Sequence, residues 1–154
     1  MKRFLPIAQL IVGLAMVPQA FLFGALGTLP LLRDILTARL GSDFGGSQAS
    51  YARALLLTSL SVDAAAILCL ASAASLIRRP SLLGVRLSIA GAICYVIYIA
   101  GHLSMISSLP GGLRVEFTLL DASDYPIGII AALVAFALYS NYKVRSAPAS
   151  PVTS

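Results

Sequence analysis

The sequence predicts an all-α integral membrane protein, a bundle of four transmembrane helices with a short surface helix in its first outer loop. Three observations carry that expectation. Hydrophobic residues make up 58% of the 154 residues and charged residues only 11%, with a mean hydropathy of +0.91. A soluble domain of this length has no use for so much apolar surface. The apolar residues fall into four runs, each long enough to cross a hydrocarbon core of ~30 Å. The basic residues stand at the ends of those runs rather than in a patch that would suit nucleic acid, so no nucleic-acid partner is expected. Four spans leave no length for a separate globular domain.

The first span is placed at 5–28, behind Lys2 and Arg3. Its start resembles a signal peptide, with Ala25-Leu26-Gly27 at cleavage spacing, but the run is long enough to span and is read as a retained helix. Pro18 falls inside it and removes one helical hydrogen bond. Gln9 and Gln19 are its polar residues, and Gln9 is expected to reach the headgroups. In the connection that follows, the stretch from Pro30 reads as a short helix with an apolar arc of Leu31, Leu32, Ile35, Leu36 and Leu40, interrupted by Arg39. The Gly/Ser-rich stretch 41–47 is a turn rather than a phosphate loop, having no P-loop lysine and no preceding strand.

The second span, 54–77, is stopped by Arg78-Arg79-Pro80 and contains one ionisable side chain, Asp63. The third runs over 83–105, and Arg86 near its start snorkels to the interface. Pro110-Gly111-Gly112 makes a turn, and residues 115–120 form a short surface segment. Asp124 or Ser123 caps the fourth span, 126–142, with Pro126 in the first turn. Tyr139 and Tyr142 fit an interfacial belt in a chain without tryptophan. Residues 143–154 are Pro/Ser/Ala-rich and are expected to be a disordered cytoplasmic tail.

Charge sets the expected topology. Lys2, Arg3, Arg78, Arg79, Arg86, Lys143 and Arg145 lie on one side with no acidic residue. On the other, Arg33, Arg39, Arg53 and Arg114 are diluted by Asp34, Asp43, Glu116, Asp121 and Asp124. The positive-inside rule then places both termini in the cytoplasm, in a bacterial inner membrane or its equivalent. Small residues recur every four positions in the second span (Ser61, Ala65, Cys69, Ala73), the first (Ala20, Gly24, Thr28) and the fourth (Gly128, Ala132). Such spacing lets helix backbones approach closely, although an alanine-rich composition produces it too.

The chemistry-bearing residues are few. A carboxylate at membrane depth costs roughly 2.5–3.5 kcal/mol on insertion scales, so Asp63 needs a partner or a wet cavity. Tyr95, Tyr98 and His102 share one face of the third span. At ~1.5 Å rise per residue, Asp63 and Tyr98 both lie about 14 Å below the outer ends of their helices, and His102 about 7 Å. A polar cluster of Asp63, Ser59, Tyr95, Tyr98 and His102 between the second and third helices is therefore expected. It reads either as a hydrogen-bond set that fixes helix register, or as a proton, cation or ligand path entered from outside. His102 is the candidate cofactor contact, as an axial ligand to a pigment, and a bis-histidine haem within one chain is excluded by the single histidine. No metal site is expected: Cys69 and Cys94 are read as small core residues, since neither has a cationic neighbour or a Cys/His pair at metal spacing. No catalytic residues are assigned, because no nucleophile elbow, zinc-protease motif or paired intramembrane carboxylates occur.

The four spans, a short helix after the first, a polar residue in the second and His102-Leu103 near the end of the third resemble small DoxX-like four-helix bacterial membrane proteins in layout. That group is mostly uncharacterised and includes members tied to quinone-linked redox complexes. Its second polar pair and extra histidines are missing here, and no functional residue is carried over. The expected function is a non-catalytic accessory or assembly subunit of a larger membrane complex. The alternatives are a small transporter or channel component using Asp63, and a lipid-, quinone- or pigment-binding module. Expected partners are membrane lipids and other membrane subunits or a second copy of the chain.

Overall fold

The computed structural model describes residues 4–29, 48–107 and 124–146, all of which but short turns are helical. The helices are α1 Phe4–Thr28, α2 Gln48–Arg78, α3 Leu82–Ser107 and α4 Asp124–Ser146. All four are long and apolar enough to cross a membrane. The expected surface helix at 30–39, the segment 115–120 and the tail beyond Ser146 lie outside the described residues.

The boundaries differ from the sequence reading in instructive ways. Helix α2 begins at Gln48, six residues before the apolar run, since Gln, Ala and Arg in that stretch are good helix formers. Helix α4 carries through Lys143 to Ser146, so the first residues assigned to the tail are helical. Pro18 interrupts neither the run of α1 nor its assignment.

The turn between α2 and α3 is closed by serines. Ser81 Oγ accepts from the Gly84 amide at 3.0 Å, which makes Ser81 the N-cap of α3. The same hydroxyl is 2.8 Å from Ser75 Oγ in the last turn of α2. Ser72 Oγ, fully buried, donates to the Gly84 carbonyl at 2.7 Å. A three-residue connection is thereby tied to both helices, and α2 and α3 leave it antiparallel.

Close approach follows the small residues. A Cβ on Gly91 of α3 would fall 2.7 Å from Cys69 Sγ and 3.3 Å from the Ala65 carbonyl of α2. Ala65, Cys69 and Ala73 are all buried, so this stripe faces a helix rather than lipid. A Cβ on Gly13 of α1 would meet Leu70 at 2.8 Å, and one on Gly24 would meet Asp63. Both cysteines are free, Cys69 buried and Cys94 half-buried.

The pairs Gly13–Leu70 and Gly24–Asp63 run in opposite senses along α1 and α2, as do Tyr98–Asp124 and Tyr95–Gly128 along α3 and α4. Neighbouring helices are thus antiparallel, in the order α1, α2, α3, α4, and α4 also touches α1. The contacts of α1 with α2 and of α2 with α3 are extensive, whereas α4 is held more sparsely. One end carries Arg78, Arg79, Arg86 and Lys143; the only described carboxylates, Asp63 and Asp124, lie toward the other. Large apolar side chains, among them Phe21, Leu57, Ile67 and Phe136, point outward around the helices.

Gln9, expected at headgroup depth, is buried instead. Its Oε1 accepts from Ser88 Oγ at 3.0 Å, joining α1 to α3. A buried amide needs such a partner, since leaving it unmatched costs about 1–3 kcal/mol.

Candidate functional site

The polar centre of the protein forms around Asp124, at the end opposite Arg78, Arg79, Arg86 and Lys143. Asp124 is the first residue of α4, where the unpaired amides of the first turn favour a negative charge. Pro126 in that turn needs no amide partner, so α4 can start inside the protein. Asp124 is only 5% exposed. Rather than turning back to cap its own helix, it reaches two others. Tyr98 Oη of α3 donates to Oδ2 at 2.6 Å, and Gln19 Nε2 of α1 donates to Oδ1 at 3.1 Å. Each carboxylate oxygen therefore holds one donor from a different helix, and charge-assisted bonds of this kind are roughly twice as strong as neutral ones.

His102, one turn beyond Tyr98 on the same face, places Nδ1 3.9 Å from Asp124 Oδ2, beyond hydrogen-bond reach. Its ring stacks on Tyr98 with centroids 5.5 Å apart. Phe23 of α1 seals the group, presenting its edge to His102 at 4.9 Å and to Tyr98 at 5.6 Å. Tyr95 packs against Tyr98 at 5.3 Å. Two buried polar atoms here have no hydrogen-bond partner among the described residues, Gln19 Oε1 and Tyr95 Oη.

Tyr95, Tyr98 and His102 thus come together on α3 as their spacing implies, but the carboxylate that Tyr98 meets is Asp124 and not Asp63. Asp63 turns toward α1 and lies against Gly24, where an added Cβ would fall 2.5 Å from Oδ1. Ser59 is fully buried and spends its hydroxyl on the Leu55 carbonyl of its own helix at 2.7 Å. Helix rotation explains both: the α2 face that carries Asp63 is the face that packs on α1, while α3 points its tyrosines between α1 and α4. Asp124, Gln19 and Phe23 were not assigned to the cluster from sequence. The signals were present, as an acidic residue opening a span and a glutamine within one.

A second feature lies on the side of the protein. Below the polar centre, an apolar groove of about 390 Å³ lies between α3 and α4. Ala92, Ala132 and Ala135 line it with Val96, Phe136 and Tyr139. No group of three or more His, Cys, Asp or Glu side chains able to hold a metal occurs among the described residues. No protein-family model, curated protein or solved structure matches the chain.

Proposed function

We propose that the chain is a multi-pass membrane protein, a four-span bundle with its basic end in the cytoplasm, that serves as a non-catalytic accessory or assembly subunit of a larger membrane complex. The observation that carries this reading is the α3–α4 groove. It is apolar, opens sideways where lipid would lie, and is lined with alanines that let another helix approach closely. The polar centre then acts as a lock. Its carboxylate is taken up by donors from α1 and α3, which holds the sparsely packed α4 at one end while its lateral face stays open to a partner. The outward Phe, Leu and Ile side chains support membrane placement, since water would make that surface costly at ~25 cal/mol per Å². The likeness in layout to DoxX-like proteins belongs to this proposal.

A photo-crosslinking residue in place of Ala132, used in intact membranes, tests the reading. A crosslink to one other membrane protein, or to a second copy, supports it. Crosslinks to lipid alone count against it.

A second reading, a proton-linked or small-ligand module, is favoured by one observation: Gln19 Oε1 and Tyr95 Oη are buried beside the Asp124 carboxylate with hydrogen-bonding capacity left over. In that reading the intramembrane carboxylate that matters is Asp124 in place of Asp63, and Asp124→Asn abolishes activity while leaving assembly intact.

A further inference from the structure

The end opposite the polar centre carries a separate cleft of about 300 Å³, bounded by the first turn of α1, the α2–α3 turn and the last turns of α4. Its floor is apolar, with Leu5, Leu76, Val85 and Leu138. The polar side chains that line it are Ser81, Asn141 and Tyr142. The chain that forms its walls is flanked by cations. Arg78 and Arg79 directly precede the wall residue Pro80, Arg86 follows Val85, and Lys143 follows Tyr142. All four are exposed, and no carboxylate lies at this end among the described residues.

We propose that this cleft is a binding site for an anionic phospholipid. An apolar slot beside uncompensated basic side chains matches a molecule with an acyl chain and a negatively charged phosphodiester. Basic pockets between transmembrane helices on the cytoplasmic side recognise such headgroups. The chain enters the slot over Leu76 and Leu138, and the headgroup is met by Arg79 and Lys143, the neighbours in sequence of the wall residues Pro80 and Tyr142. A zwitterionic lipid offers the same chain, but its own cation offsets the phosphate, so charge is the basis of selection. The two outer walls come from helices distant in sequence, α1 and α4, so a bound lipid also bridges the sparse α1–α4 contact.

This site rests on the membrane placement proposed above, though on no protein partner. The test is native mass spectrometry of the purified full chain after detergent exchange in equal phosphatidylglycerol and phosphatidylcholine. The wild type is expected to retain one phosphatidylglycerol in preference to phosphatidylcholine. Arg79→Gln and Lys143→Gln should each reduce that preference about fivefold, the worth of one basic residue near an anionic surface, with helix content unchanged by circular dichroism. Ala137→Phe, which fills the cleft, should reduce retention of both lipids. Equal retention of the two lipids by the wild type overturns the proposal, as does a preference untouched by the charge substitutions. A chain that stays in the soluble fraction on cell lysis overturns the membrane placement instead.

Discussion

Replacing Asp124 probes the polar centre most deeply. Asp124→Leu removes the acceptor for two donors, the buried Tyr98 Oη at 2.6 Å and the half-buried Gln19 Nε2 at 3.1 Å. Interhelical hydrogen bonds in membranes average only ~0.6 kcal/mol and reach ~1.7 kcal/mol. Loss of two bonds to one carboxylate should therefore cost about 1–3 kcal/mol. At the few degrees per kcal/mol usual for chains of this size, the apparent Tm in detergent falls by several degrees. Asp124→Asn should lose less than half as much. Its carbonyl can still accept from Tyr98, and its amide can donate to Gln19 Oε1 once that unpartnered oxygen flips into place. Adding Tyr98→Phe to Asp124→Leu completes a double-mutant cycle, for which a coupling of about 1 kcal/mol is expected. Wild-type stability in Asp124→Leu, or strict additivity in the cycle, would refute the lock.

Three further outcomes follow from the packing. Gly91→Val should destabilise by about 1–3 kcal/mol, because its side chain would overlap Cys69 Sγ and crowd the Ala65 carbonyl; an unchanged melting temperature would mean that α2 and α3 do not meet there. Ser88→Ala should cost more than Gln9→Leu, since the first leaves the buried Gln9 Oε1 without its donor whereas the second leaves a hydroxyl able to bond its own helix; thermal melts of the two variants that rank the other way would contradict the α1–α3 bridge. Single cysteines at Ser47 and Ser150, in a background lacking Cys69 and Cys94, should label from opposite sides of the membrane in intact cells, and equal accessibility would rule out the four-span topology.

The helices were legible because hydrophobic length is a one-dimensional signal. Four apolar runs, a basic turn at Arg78-Arg79-Pro80 and prolines near helix starts are visible without knowing which side chain faces which. The site was legible only in part, because it depends on rotation about each helix axis. The i, i+3, i+7 spacing of Tyr95, Tyr98 and His102 is internal to α3, so their shared face could be read directly. Which helix that face meets could not. Asp63 stands in the middle of an apolar run and attracts notice on energetic grounds. Yet α2 is alanine- and serine-rich, with weak amphipathicity to set its rotation, and Asp63 packs on Gly24 of α1. Asp124 opens a helix beside an acidic loop, where such residues are usually solvated caps, so its position at the start of a span is visible in the sequence but its burial among Tyr98, Gln19 and His102 is not. Gln9 and Gln19 were visible as polar residues in the first span, but one of them was assigned to headgroups when both serve helix contacts.

The claim that most needs a direct test is that this chain works as part of a larger assembly, with the α3–α4 groove as its contact. The measurement is the mass of the particle released from native membranes by a mild detergent, compared between wild type and Ala132→Trp, which fills the groove. The account predicts a wild-type particle heavier than the chain plus its lipid, containing a second protein or another copy, and a shift of Ala132→Trp to the mass of the single chain. A wild-type particle that already has the mass of one chain in its detergent shell would contradict it.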